Sequence, residues 1–435
     1  MSRESGRGLA RMRWKRAFLN QQRYLEQLWL KYLTKAVQEQ KFYQFDLWLE
    51  KEFRLYKQFG KRDRQWYSEC LYSGLRFARL ALELWNRKEN NKKFIIYQSS
   101  EELAKALVAL NPDFFWKCIE QRCFLEEEVD LSLQKELLDF QKEKNVESLL
   151  LFQGLDPEWK VFLDKRVEAS SWSSDQLDRF LCHQSLRAPL WIRIHKKEAV
   201  ERVLEELKQV GAEVIEQDHL AFSISYQKKL NQLETFLSGK FELQDWASQQ
   251  ILSLLKVSPK ARVWDACAGG GGKSVQVAAE LENGELFLSD IREHKLKNTS
   301  DRLKRMGFHR FHSFVWNGEN SPQQGPFDVV IVDAPCSSSG VIRRNPELRL
   351  KIFASDLVQL SQLQLKILHT AGESVKLNGY LLYGTCSFFV EENEEVIHSF
   401  LKKNPGFVLE KMKIHGSPEK DSDTTFSALL KKIAD

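Results

Sequence analysis

Cysteine pairs are missing from this chain. Its seven cysteines (Cys70, Cys118, Cys123, Cys182, Cys267, Cys336 and Cys386) are odd in number and scattered, with no Cys-x-x-Cys spacing, and the nine histidines do not gather near them. This pattern argues against a metal site and a disulfide framework, and favours a reducing, cytoplasmic setting. Long apolar runs are also missing. None reaches the roughly 18 residues that span a bilayer, so no transmembrane helix and no membrane partner are expected. Acid is scarce at the amino terminus. Residues 1–40 hold Arg3, Arg7, Arg11, Arg13, Lys15, Arg16, Arg23, Lys31 and Lys35 against Glu4, Glu26 and Glu39, which accounts for the net charge of +5. Basic and aromatic residues interleave there (RMRWKRAF), as on a phosphate-facing arm. A solvated tail has the same composition; a transit peptide would also be poor in acid but richer in serine.

What is present is enough for two or three domains: 435 residues with an ordinary apolar share of 43%. In YLEQLWLKYLTKAV the positions Tyr24, Leu25, Leu28, Leu30, Tyr32, Leu33 and Val37 recur at helical spacing, and hardly any strand-like alternation precedes residue 187. Residues 1–150 therefore read as an all-helical domain and 151–185 as a helical linker. Over 186–240 the pattern changes to strand (LWIRIH), amphipathic helix (KEAVERVLEELKQVG) and two strands (AEVIEQ, LAFSIS). This small α/β module is expected to have an open sheet face of the kind that binds single-stranded RNA; a spacer packed on the next domain fits equally. From 241 to 435 strands and helices alternate. Strands are expected at 261–265, 285–290, 311–316, 327–333 and 379–385, and helices near 273–282, 294–306, 355–376 and 391–403. That is a doubly wound, mainly parallel α/β fold.

Two strand ends in that domain carry thiols. FDVVIVDAPCSSSG places Cys336 and GYLLYGTCS places Cys386 just past apolar runs that read as buried parallel strands. Ligands of open α/β sheets sit outside the carboxyl ends of the strands, so both thiols should face one crevice. The first strand runs into DACAGGGGKS (Asp265–Ser274). Consecutive glycines let backbone approach a ligand, and the helix that follows offers free N–H groups. The phosphate-loop spacing fails because Cys267 stands where its first glycine belongs, and the dinucleotide fingerprint fails at Ser274 or Val275. An S-adenosylmethionine loop remains, with Asp290 placed for the ribose hydroxyls.

DACAGGGGK, LSDI, DAPCSSSGVIRRNPE and YGTCSFFVEENEEVI resemble successive motifs of the RNA cytosine-5 methyltransferase family (the Sun group), and QDWASQ (Gln244–Gln249) resembles the run that enters its catalytic domain. The likeness is specific over about 241–400. The helical region resembles, more loosely, the antitermination-factor-like RNA-binding domain of members that act on ribosomal RNA. The resemblance implies a Rossmann-like S-adenosylmethionine methyltransferase domain with Cys386 as nucleophile and Cys336 as the thiol that releases product. It further implies cofactor contacts from Cys267, Ala268, Gly269, Gly270, Gly271, Gly272, Lys273, Asp290 and Asp333, with Lys273 as the active-site lysine. Three departures stand out. Gly269-Gly270 replaces the family's usual Ala-Pro, so the loop should be looser. Asn317 replaces the third-strand aspartate, which makes an adenine contact there doubtful. The tail TTFSALLKK is poorer in aromatics.

The implied chemistry explains the residue types. Cytosine carbon 5 becomes nucleophilic when a thiolate adds to carbon 6. A free thiol is only a few per cent thiolate at neutral pH, so Cys386 needs a nearby charge, with Lys273 the candidate. Asp333 is the candidate for the N3 edge of the ring. Arg343 and Arg344 in VIRRNPE are expected to hold the RNA backbone, unless that loop is simply solvated. EENEE (Glu391–Glu395) reads as a solvated first helical turn suited to the helix dipole. The expected reaction is methylation of cytosine carbon 5 in RNA, ribosomal ahead of transfer RNA. The rivals are a non-catalytic RNA-binding assembly factor that kept the fold and a methyltransferase acting on a small molecule or protein.

Overall fold

The computed structural model describes residues 22–90, 94–123, 130–143, 145–225 and 230–434. The RMRWKRAF arm lies outside the described residues. Contact density divides the chain into two compact units. The first gathers residues up to Asp164 with 184–186 and 342–354, and the second takes 165–183, 187–341 and 355–435.

The first unit is helical. A helix over 22–38 and those at Phe45–Leu55, Lys61–Asn90, Ser100–Ala109, Pro112–Cys123, Leu131–Lys142 and Val146–Phe152 bury one apolar stripe each. Leu25, Leu28, Tyr32 and Leu33 from the first helix meet Phe45, Tyr67, Leu71, Leu75 and Trp116 in one core. Trp29 stacks on Phe115 with ring centroids 4.9 Å apart. Gly74 belongs where a Cβ would sit 3.2 Å from the Trp116 ring. The 342–354 segment joins this unit through Arg349. Its buried guanidinium donates to the carbonyls of Gln153 (3.1 Å), Gly154 (3.0 Å) and Gln184. Those acceptors offset the desolvation of a buried cation.

The second unit holds two sheets. The smaller has β1 (Leu190–Ile194), β2 (Val214–Asp218), β3 (Ala221–Ile224) and β4 (Phe241–Leu243) in the antiparallel order β2-β3-β1-β4. The expected open face is not there on β1 and β3. The helix Val200–Gln209 packs Val203 and Leu207 against Ile192, Ile194 and Phe222 on one side. On the other, Trp191 is buried with its indole N–H donating to the Asp421 carbonyl (3.1 Å), and Gln249 donates to Ile192 O (3.4 Å). Only β2 is exposed along its length.

The larger sheet comprises β5 (Arg262–Asp265), β6 (Glu285–Asp290), β7 (Phe311–Val315), β8 (Phe327–Asp333), β9 (Val375–Thr385), β10 (Phe407–Gly416) and β11 (Thr424–Lys432). The order is β10-β11-β9-β8-β5-β6-β7, with β5 to β9 mutually parallel and the β10–β11 hairpin antiparallel at one edge. The apolar runs are continuous because both faces are covered. Along β8, Val330 and Val332 join Trp264, Leu368, Tyr383 and Phe400 on one face, while Val329 and Ile331 join Val263, Val275, Leu288 and Leu303 on the other. The strands from Arg262 to Thr385 follow the alternation read from sequence; the hairpin does not, because antiparallel edge strands break the βα rhythm. TTFSALLKK is β11. It lies inside the sheet beside β9, with Phe426 opposite Thr385.

Candidate active site

Parallel strands end on a common side, so the turns after β5, β6, β8 and β9 converge. Their last residues are Asp265, Asp290, Asp333 and Thr385. The β5 turn is the glycine loop. Gly269 (φ +52°) and Gly271 (φ +83°) are left-handed, and a Cβ on Gly271 would meet Thr299 Cγ2 at 2.7 Å. The helix Gly272–Ala278 starts immediately after. The expected looseness of this loop is corrected by its neighbours. Thr299 Oγ1 donates to Gly269 O (3.0 Å) and the Arg302 guanidinium donates to Gly270 O, so the helix Glu293–Arg305 pins two loop carbonyls.

Asp290 closes the other side of the loop. One carboxylate oxygen accepts from Gly269 N (3.0 Å), and the other accepts from Arg292 N and Nε (2.8 and 2.9 Å). Burial alone would raise this carboxyl, but the Arg292 and Gly269 donors outweigh it and hold it below its usual range. Asp265, fully buried, is pushed up to about 7 by desolvation despite the Ser274 hydroxyl at 2.5 Å. Burial also pushes the Cys267 thiol up, with Asp265, Asp333 and Asp290 adding to it. Asn317 is exposed beyond β7 and is occupied locally: its amide donates to Glu319 (2.8 Å) and its oxygen accepts from Glu319 N (3.1 Å).

The two strand-end thiols meet. Cys336 Sγ lies 3.3 Å from Cys386 Sγ, and both are half-buried free thiols. Lys273 Nζ sits 2.8 Å from Asp333 Oδ2 and 3.1 Å from Ser248 Oγ. Burial works against the Lys273 charge, but Asp333 and then Cys386 outweigh it, so its pKa is raised and it stays cationic. The thiols are driven apart. Hydrogen bonding with Cys336, aided by the Ser338 hydroxyl (3.5 Å) and the Lys273 charge, lowers Cys386 against burial and Asp333. The same contact, burial and the Glu392 charge raise Cys336 well above the ordinary thiol value. Both Asp333 and Lys273 act on the Cys386 sulfur, while Glu392 acts on that of Cys336, so of the two thiols Cys386 is the more readily ionised. Ser338, which reaches Cys386, is itself left-handed (φ +61°), a strained conformation for a serine.

Several residues behind the thiols were not legible as functional. EENEE is a solvated helical turn only in part: Glu394 and exposed Glu395 open the helix, but Glu392 and Asn393 are fully buried in and after the 3-10 turn before it. Glu394 forms a bidentate pair with buried Arg166 (2.7 Å to each oxygen). Ser248 lies within the QDWASQ run, the one signal that pointed to it. The expectation for Arg343 is corrected. It is 1% exposed, its Nε donates to Leu186 O (3.3 Å) and its carbonyl accepts from Arg76, so its guanidinium does not face solvent phosphate. Arg344 is half-buried in the same segment. Among the described residues no group of three or more His, Cys, Asp or Glu is arranged to hold a metal ion, and no helix is long and apolar enough to cross a membrane.

Residues 252–430, which carry the ends of β5, β6, β8 and β9, match the family described as 16S rRNA methyltransferase RsmB/F. Over these residues the chain is similar to that family. Among curated relatives, ribosomal RNA small subunit methyltransferase B of Proteus mirabilis is 30% identical over 278 residues, 61% of this chain and 64% of that protein. The protein of the same name from Xanthomonas campestris is 30% identical over 57% of this chain and 58% of its own length. The matched regions thus span less than two thirds of the length of these relatives. In fold, the chain resembles the crystal structure of PH0851 (TM-score 0.66, 24% identity, 88% of this chain and 93% of that one). It also resembles NSun6 from Pyrococcus horikoshii, solved with SFG (TM-score 0.56, 17% identity, 63% and 98%). The Rossmann-like methyltransferase fold and the helical amino-terminal region read from sequence are those of the structure.

Proposed function

We propose that the chain transfers a methyl group from S-adenosylmethionine to carbon 5 of a cytosine in RNA, with ribosomal RNA the substrate and the cytoplasm the site of action. The observation that carries this reading is the 3.3 Å approach of Cys336 and Cys386 beside Lys273 and Asp333. The likeness of residues 252–430 to the RsmB/F family and the names of the curated relatives support the RNA class.

The cofactor cradle fits its ligand. The left-handed turns at Gly269 and Gly271 carry a loop without side chains past the end of β5, and the Asp290 carboxylate can exchange its Arg292 contacts for a ribose diol. When bound, the cofactor supplies an electrophilic methyl group. Cys386 adds as thiolate to carbon 6, making carbon 5 an enamine carbon. Lys273 places a positive charge that favours the Cys386 thiolate, and Asp333, its partner at 2.8 Å, faces the N3 edge of the ring. After methylation a base takes the carbon 5 proton, the C5–H electron pair re-forms the ring double bond and the Cys386 thiolate leaves, with Cys336 the neighbouring thiol that assists this release. Asn317 and Arg344 are proposed contacts of adenine and of the RNA backbone.

The test uses an unmodified transcript of bacterial small-subunit ribosomal RNA, with a transfer RNA pool alongside, and labelled S-adenosylmethionine. Cys386→Ala should abolish turnover; Cys336→Ala should trap a covalent protein–RNA band on a denaturing gel. Normal turnover by Cys336→Ala without a band would sink the two-thiol mechanism. Transfer to the transfer RNA pool alone would move the substrate. Failure to bind the cofactor in calorimetry would favour a non-catalytic assembly factor.

A further inference from the structure

Glu392 is a fully buried carboxylate placed behind the thiol pair, and its three side-chain contacts are all to donors. Oε1 accepts from Ser337 N (2.7 Å) and Gln364 Nε2 (2.9 Å), and Oε2 accepts from Ser337 Oγ (2.5 Å). Gln364 Nε2 also donates to Pro335 O (2.9 Å). The residues before and after Cys336 are thus both anchored to one buried Gln364–Glu392 pair. The backbone of Glu392 is tied the other way: its carbonyl accepts from the Tyr383 hydroxyl (2.6 Å), and Tyr383 lies on β9 just before Cys386. Asn393 adds a second tie, accepting from Thr385 Oγ1 (2.6 Å) and donating to Ser387 O (3.0 Å). One buried turn therefore joins the Cys336 loop to the strand end that carries Cys386. A buried carboxylate is costly unless its acceptor capacity is used, and here the neighbours demand an acceptor-only group.

We propose that Glu392 is a positioning residue for the second thiol: it holds the Cys336 loop so that the Cys336 sulfur stays against Cys386, and it thereby acts on product release rather than on adduct formation. This rests on the two-thiol reading above. The ties of the Cys386 strand end, of Lys273 and of the glycine loop do not use the Glu392 side chain, so loss of its carboxylate should leave the first half of the reaction standing. Gln at this position keeps the shape but turns one acceptor into a donor facing donors.

The experiment uses the full chain carrying Glu392→Gln, the same ribosomal RNA transcript, labelled S-adenosylmethionine and Cys336→Ala as the reference. The expected result is cofactor binding within about twofold of wild type, turnover reduced at least tenfold, and a covalent RNA band that accumulates as in Cys336→Ala. Wild-type turnover, or lost turnover without the band in a folded, cofactor-binding protein, overturns the inference. If Cys336→Ala itself traps nothing, the two-thiol reading has failed instead. Should Glu392→Gln lose its cooperative melt, Ser337→Ala decides, because it removes the hydroxyl contact to Glu392, with those to Ser387 and Ser339, and keeps the carboxylate. A trapped band then supports the role and wild-type turnover refutes it.

Discussion

Replacing Gly271 with alanine probes the cofactor cradle through two separable costs. At φ +83° an alanine pays left-handed strain of roughly 1–2 kcal/mol. Its Cβ would also lie 2.7 Å from Thr299 Cγ2, 2.9 Å from Oγ1 and 3.0 Å from Cβ, so Thr299 must move, an overpacking cost of about 1–3 kcal/mol. The same movement breaks the bond from Thr299 Oγ1 to Gly269 O that holds the loop. The total, about 2–5 kcal/mol, should be divided between folding stability and S-adenosylmethionine affinity. Urea denaturation and calorimetric titration measure the two parts. Adding Thr299→Ala removes Cγ2 and Oγ1, so the double variant should regain the steric part and keep the strain, giving a favourable coupling of about 1–3 kcal/mol in a double-mutant cycle. Additive effects, or a Gly271→Ala protein that binds and melts as wild type, would refute the loop geometry.

Gly270 offers the opposite case. Its φ lies outside the left-handed region and the nearest atom to a Cβ is Arg302 Nη1 at 3.9 Å, so Gly270→Ala should stabilise by about 0.4–1 kcal/mol in urea denaturation. Glu394→Ala should cost about 3–5 kcal/mol by the same measure, since it leaves the guanidinium of Arg166, 0% exposed, without its carboxylate. Asp265 gives a pH signature. Its folded pKa of about 7 lies above the ordinary carboxyl value, so its contribution is complete below pH 4 and is lost as pH rises to 7. The urea midpoint of Asp265→Asn should therefore fall less than that of wild type between pH 4.5 and 7.5; parallel slopes would count against burial of a protonated Asp265.

Local pattern carried much of this protein. Runs such as FDVVIVD and ELFLSD are apolar on both faces, which only a covered parallel strand explains, and their ends bring Asp290, Asp333, Cys336 and Cys386 into view. The glycine cluster likewise marked a close approach of backbone to ligand, because glycine takes up left-handed dihedrals without the strain other residues pay. What pattern alone left open were features set by partners distant in sequence. The looseness inferred from Gly269-Gly270 vanishes because Thr299 and Arg302, some thirty residues on, bind the loop carbonyls. EENEE reads as solvated acid because charge ordinarily seeks water, yet Glu392 is buried by donors from Ser337 and Gln364. Arg343 reads as a phosphate ligand for the same reason and is instead buried against Leu186. Periodicity reports which face of an element avoids water; it cannot report which buried polar group will find its complement, because that depends on chain segments brought together only when the sheet closes.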